Sequence, residues 1–247
     1  MTRIHDPRAR MRRRLGIGAL LAGLLMLLAL AAPALHLIDD RSLRLFGGRP
    51  QSQVVAVYFS GDMGLRFGMG AKVVPALAAH GIPVIGVSSP VNFGTRRTRE
   101  QADAIVAGAI RTAMAQTGAQ RVILMGQSFG ADIVSAIAPD LPADLRAHIA
   151  AINVVVPAQT VYFRSDPTGI YYHGTPDAVP AAAMRHLDWA PVICIYGEEE
   201  ADSLCPTLKG TGAQVIGLPG GHFLRNDDKL LVATLLRSLR TAGAGMV

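Results

Sequence analysis

Arg121 to Ile133 reads RVILMGQSFGADI: an apolar run rich in β-branched residues, then Gly126-Gln127-Ser128-Phe129-Gly130, then a helical pattern. The predicted order is strand, sharp turn, helix, with Ser128 at the apex. Such a turn forces the serine into a strained, exposed position at the C-terminal edge of a sheet. Gly126 and Gly130 leave room where side chains would collide with the turn or with the neighbouring strand. A bare G-x-S-x-G recurs by chance, so the flanking chain decides its meaning. Downstream come an acidic loop after one strand, Gly197 to Asp202, and a histidine after another, Gly220-Gly221-His222.

Working outward, strand and helix patterns alternate. Strands are expected at Val54–Phe59, Ile82–Val87, Val122–Met125, Ile149–Val156, Val192–Tyr196 and Val215–Leu218. Helices are expected at Phe67–His80, from the capping box Thr98-Arg99-Glu100-Gln101 to about Gln116, at Phe129–Ala138 and at Asp227–Arg240. Pro83 near the start of the second strand suggests an edge position. Connections of this length imply a parallel, doubly wound sheet, whose sites lie at the C-terminal strand ends. Serine, acid and histidine, in that order and at those ends, are the arrangement of an α/β-hydrolase. The expected fold is therefore α/β, an α/β-hydrolase with an about six-stranded, mostly parallel sheet and helices on both faces.

Composition assigns the charge to one end. Residues 1–34 hold six arginines and one acid, leaving eighteen basic and seventeen acidic residues in the remainder. A nearly neutral globule argues against nucleic-acid binding. Leu15 to Ala32 is an uncharged apolar run of 18 residues directly after the arginines, followed by a small-residue site at Ala32-Pro33-Ala34. Residues 1–34 read as a signal peptide or an uncleaved N-terminal membrane anchor. Either outcome places the rest of the chain in the periplasm, free or tethered to the inner membrane. Residues 35–53 read as a linker and residues 54–247 as the hydrolase domain.

A serine hydroxyl needs a base to take its proton as it attacks. His5 and His36 lie in or beside the leader, His80 at a helix end, and His148 at the N-terminal edge of a strand. His173 and His186 lie in the irregular segment 157–190. His222 alone follows the last strand on a glycine-flanked loop, so it is the expected base. The acid that fixes its tautomer is expected to be Asp202, four residues before Pro206, with Glu200 as the alternative. The oxyanion hole is expected from the amide of Phe129 and from that of Asp62 or Met63, in the loop after the first strand. Cys194 and Cys205 bracket the acid loop, and in an oxidising compartment they are expected to bridge. Two cysteines with no histidine at ligand spacing give no metal site.

GQSFGAD (126–132), IYGEEEADSLCP (195–206) and LPGGHF (218–223) resemble the VirJ/AcvB family of bacterial virulence-associated proteins, and FSGDMG (59–64) is similar to that family's Gly-Asp-Gly-Gly opening loop. Met63 replaces one of its glycines, and Leu65 stands where the family carries an aromatic. The resemblance runs from about Val54 to the last helix. It implies a periplasmic α/β-hydrolase without a cofactor, similar to lysyl-phosphatidylglycerol hydrolases, with Ser128, Asp202 and His222 as the triad. It also implies aminoacylated anionic phospholipid, and secretion-system proteins, as partners. Arg96 and Arg97 are candidate contacts for a lipid phosphate, and Glu198 to Glu200 for a lysyl ammonium. The segment Tyr162–Trp189 reads either as a lid or as a packed insertion. Two other functions stay open: a non-catalytic binding or chaperone component of a type IV secretion-related system, and a general carboxylesterase of small esters.

Overall fold

The computed structural model of the protein describes residues 7–31, 39–47 and 52–244. It divides into two units, Met1–Asp40 and Arg41–Val247. In the first, helix α1 spans Pro7–Ala31. Among the described residues, no helix is long and apolar enough to cross a membrane. The anchor therefore rests on the sequence alone, and the small-residue site at Ala32-Pro33-Ala34 lies outside the described residues.

The second unit holds strands β1 (Leu43–Phe46), β2 (Val54–Phe59), β3 (Val84–Val87), β4 (Arg121–Gln127), β5 (Ile149–Val155), β6 (Val192–Gly197) and β7 (Gln214–Leu218). They form one sheet in the order β1-β3-β2-β4-β5-β6-β7. All neighbours pair parallel except β1, which runs antiparallel to β3 from Leu43 opposite Val87 to Phe46 opposite Val84. The helices are α2 (Gly70–Ala79), α3 (Ser89–Phe93), α4 (Arg99–Thr117), α5 (Phe129–Ile137), α6 (Ala143–Arg146), α7 (Ala181–Arg185) and α8 (Asp228–Thr241).

Alternation along β2 explains the two-sided core. Val55, Val57 and Phe59 pack with Val106 and Ile110 of α4 and Ile133 of α5. Val54, Ala56 and Tyr58 face the other way, onto Val73 and Leu77 of α2 and Leu231, Leu235 and Leu239 of α8. A strand covered on both faces reads as a continuous apolar run, as VVAVYF does. At α4, Thr98 and Gln101 close the expected capping box through reciprocal bonds of 3.2 and 3.1 Å. The helix stops at Gly118, whose φ of 72° terminates it in the left-handed region.

The structure departs from expectation in the region of β1 and β3 and at the start of α2. The predicted linker 35–53 contains β1, so the sheet has seven strands, and β3 is covered rather than an edge. Pro83 causes no conflict because it precedes β3, and its carbonyl accepts from Ala56 N at 2.9 Å. The helix expected from Phe67 begins only at Gly70, because Gly68 sits at φ +65° and breaks helical continuity. The segment 157–190 is a packed insertion: Val161, Phe163 and Met184 join the core on the α4–α5 side.

Candidate active site

The turn after β4 has the predicted strain. Ser128 adopts φ 52°, ψ −126°, a region that a residue with a side chain occupies only when its surroundings enforce it. The surroundings do so through backbone. A Cβ on Gly126 would lie 2.2 Å from the carbonyl oxygen of Gly130, and one on Gly130 would lie 2.1 Å from that of Phe59. Strand, turn and helix are thus pressed together, and the serine points outward at the C-terminal end of β4.

His222 reaches this serine from the loop after β7, with Nε2 2.8 Å from Ser128 Oγ. On the other side of the ring, Nδ1 lies 2.5 Å from Glu200 Oε1. The loops carrying the two residues are laced together: Glu198 N donates to Leu218 O at 2.9 Å and Glu199 N to Gly220 O at 3.0 Å. Cys194 in β6 and Cys205 form a disulfide around the acid loop, as the sequence led us to expect. The Glu200 side chain is 8% exposed. Its Oε2 has no hydrogen-bond partner among the described residues, so its pairing is concentrated on the imidazole.

The structure corrects the acid. Asp202 was expected to hold His222, but Glu200 does. Glu200 N bonds back to Gly197 O at 2.9 Å, and this tight turn at the end of β6 aims residue 200 inward. Asp202 lies two residues further on, exposed, with its own carbonyl held by Gln159 N at 2.9 Å. The longer glutamate arm reaches the ring from where the turn ends.

Electrostatics suit a base. The hydrogen bond that His222 donates to Glu200 raises the histidine pKa above its ordinary value, against the partial burial of the ring. Asp132, one turn into α5, is a half-buried acid near both. Burial pushes its carboxyl up to about 8, although the backbone N–H of Ala158 donates to it at 2.7 Å. Tyr58 donates to the Gln127 side chain directly beneath the turn.

A cavity of roughly 180 Å³ opens over Ser128 and His222, lined by Gly61 to Gly64, Phe67 and Phe223 among others. Gly61 packs against the serine, since a Cβ there would lie 3.4 Å from Ser128 Cβ. Asp62 and Met63 thus lie beside Ser128, lining the same cavity. Phe129 opens α5, where helix geometry offers its N–H no acceptor. The proposed headgroup contacts are not brought to this cavity. Arg96 pairs with Asp177 at 2.6 Å, Arg97 donates to Asn92 O at 2.7 Å, and Glu199 pairs with Arg225 at 3.0 Å. Glu198 packs over Gly217, where a Cβ would come within 2.8 Å of its Cγ. Among the described residues, no group of three or more His, Cys, Asp or Glu is placed to hold a metal ion.

Sequence reasoning missed Tyr172, whose hydroxyl donates to Asp62 Oδ1 at 2.5 Å, and gave Asp132 no role. Asp132 stood in the quoted motif, four residues after the serine on the same helix face. Tyr172 left no signal beyond its place in an aromatic-rich segment.

The sheet order, the strained serine turn and the Ser128–His222 contact define a protein of the α/β-hydrolase fold. Similar solved structures share that fold. Est1E from Butyrivibrio proteoclasticus matches with a TM-score of 0.58 at 13% identity, over 82% of this chain and 94% of its own. An esterase from Pyrobaculum calidifontis matches at 0.56 and 14%, over 82% and 81%. XC6422 from Xanthomonas campestris, described as an α/β serine hydrolase without a lid, matches at 0.53 and 14%, over 81% and 88%. A search of curated proteins returns no match. Residues 53–243 match the sequence profile of VirJ, a bacterial virulence protein, and the chain belongs to that family.

Proposed function

We propose that this protein is an exported serine ester hydrolase that removes the aminoacyl group from an aminoacylated anionic phospholipid, lysyl-phosphatidylglycerol in the first instance, at the periplasmic face of the inner membrane. The observation that carries the hydrolase reading is the continuous chain from Ser128 Oγ through His222 to Glu200. Ser128 attacks the ester carbonyl carbon while His222 Nε2 takes its proton, and Glu200 stabilises the imidazolium that forms. Charge developing on the carbonyl oxygen meets the Phe129 amide and that of Asp62 or Met63. Collapse expels the lipid hydroxyl, protonated by His222, and leaves an acyl-enzyme. Water, deprotonated by the same histidine, releases the amino acid and restores Ser128.

Two features support a membrane lipid bearing a cationic acyl group. Met63, Phe67 and Phe223 line the cavity yet are 56%, 46% and 68% exposed, which gives the mouth an apolar rim. Asp62 lines the cavity, and among the described residues the hydrogen bonds its carboxylate accepts fall on Oδ1. The disulfide is consistent with an oxidising compartment.

The test sets wild-type and Ser128→Ala proteins on lysyl-phosphatidylglycerol vesicles beside a panel of p-nitrophenyl esters. Release of free lysine by wild type alone supports the proposal. Turnover confined to the small esters would favour a general carboxylesterase. Turnover of neither, with secretion phenotypes equal in the two proteins, would favour a binding component.

A further inference from the structure

The oxyanion hole is built from two segments that share no local structure. One donor opens α5 at Phe129, and the other lies in the turn Gly61–Gly64. That turn is closed by a 3.0 Å bond from Gly64 N to Gly61 O and has Gly64 at φ +76°. A glycine-bounded turn is conformationally permissive, whereas donors to a developing oxyanion must hold their positions to within about 0.5 Å. Some outside contact has to fix the turn against the helix.

One side chain touches both. The Tyr172 hydroxyl donates to Asp62 Oδ1 at 2.5 Å. Its ring stacks on that of Phe129, with centroids 6.5 Å apart and planes 12° from parallel. The tyrosine is itself braced. Tyr162 stacks on it at 5.8 Å, and the Asp166 amide donates to its oxygen at 3.0 Å. Ser165 Oγ and Asp166 N also donate to Asp62 Oδ1, at 3.0 and 2.8 Å. The far side of Phe129 meets Phe93 edge-on at 5.4 Å. Burial and the Asp62 carboxylate raise the Tyr172 pKa, which keeps its hydroxyl a donor through the neutral range.

Resting on the hydrolase reading above, we infer that Tyr172 is a positioning residue that clamps the two halves of the oxyanion hole, binding the Asp62 loop through its hydroxyl and the Phe129 end of α5 through its ring. The packed segment 157–190 thereby acts as a fixed strap across the site. It sets the transition-state geometry without touching the reacting atoms.

Tyr172→Phe keeps the ring and removes the hydroxyl, and Tyr172→Leu removes both contacts. On a soluble p-nitrophenyl ester, kcat is expected to fall about 10-fold for the first and about 100-fold for the second, with KM within about twofold of wild type. The rate of Ser128 phosphonylation by a fluorophosphonate, whose phosphoryl oxygen occupies the hole, should fall in parallel. Asp62→Leu, which removes the acceptor for the Tyr172 hydroxyl together with that for Ser165 Oγ and Asp166 N, should lower kcat at least as far as Tyr172→Phe. The double variant Tyr172→Phe/Asp62→Leu should be no worse than Asp62→Leu alone, because that substitution already removes the contact with the Tyr172 hydroxyl. A purely structural role predicts instead a lowered Tm and a smaller folded fraction, with kcat per reactive Ser128 unchanged; that result would overturn the inference. So would wild-type kcat in Tyr172→Phe, or a loss carried wholly by KM. Wild-type protein that neither turns over esters nor reacts with the phosphonate would overturn the hydrolase reading and this inference with it.

Discussion

Glu200 Oε1 lies 2.5 Å from His222 Nδ1, and the two residues ride on loops joined by backbone bonds from Glu198 N to Leu218 O and from Glu199 N to Gly220 O. Glu200 and His222 are therefore positioned by one folded unit at the ends of β6 and β7. That arrangement makes the identity of the acid testable. Glu200→Gln leaves a side chain of the same length that cannot stabilise imidazolium, and it should lower kcat by roughly 10³-fold. Asp202→Asn, on the exposed part of the loop, should stay within about twofold, since its charge is screened by solvent.

The pH profile should carry the same signature. A general base must be neutral to accept a proton, so kcat/KM should be low at acid pH and rise as His222 deprotonates. Because Glu200 raises the histidine pKa, the midpoint should lie above the ordinary value of 6.5. In Glu200→Gln the largest raising cause is gone, and the acid limb should move to lower pH while the plateau falls. A midpoint unmoved by the substitution would contradict the pairing.

Asp132 links the site to stability. Its folded-state pKa of about 8 stands well above the 3.8 of an ordinary aspartate. Between those values the folded protein holds a proton that the unfolded chain has lost, so stability should fall as pH rises through that window. Asp132→Asn preserves an acceptor for Ala158 N and removes the titration. Urea unfolding at pH 5 and pH 8 should show a flatter dependence, with the variant more stable at pH 8 by on the order of 1 kcal/mol.

The disulfide closes a loop between residues 11 apart that contains Glu200. Replacing Cys194 and Cys205 together by serine should cost roughly 2–3 kcal/mol in chemical denaturation. It should also lower kcat in the fraction that remains folded, because the carboxylate loses its tether. Full activity with only a stability loss would show that the lacing to the β7 loop suffices.

How much of this was legible in the sequence follows from how local each signal is. The serine turn was, because Gly126 and Gly130 are required by contacts within ten residues of Ser128 or with the adjacent strand. His222 was, because a glycine-flanked histidine after the last strand has one sheet edge to face. The acid was misread because four carboxylates share the loop from Glu198 to Asp202, and only the turn at Gly197 decides which points inward. Strand β1 was hidden because LRLF is short, runs straight into Gly47 and Gly48, and owes its pairing to β3 some forty residues away. Tyr172 was illegible because its partner Asp62 is 110 residues distant, and nothing near Tyr172 in the chain encodes that contact.

The central claim is that Ser128 becomes acylated by the substrate. Wild-type protein acid-quenched during turnover of lysyl-phosphatidylglycerol, then digested and analysed by peptide mass spectrometry, should yield a lysyl ester on the peptide containing Ser128, and Ser128→Ala should give neither adduct nor turnover. Turnover that persists in Ser128→Ala, or that proceeds in wild type with the adduct on another residue, would contradict the account.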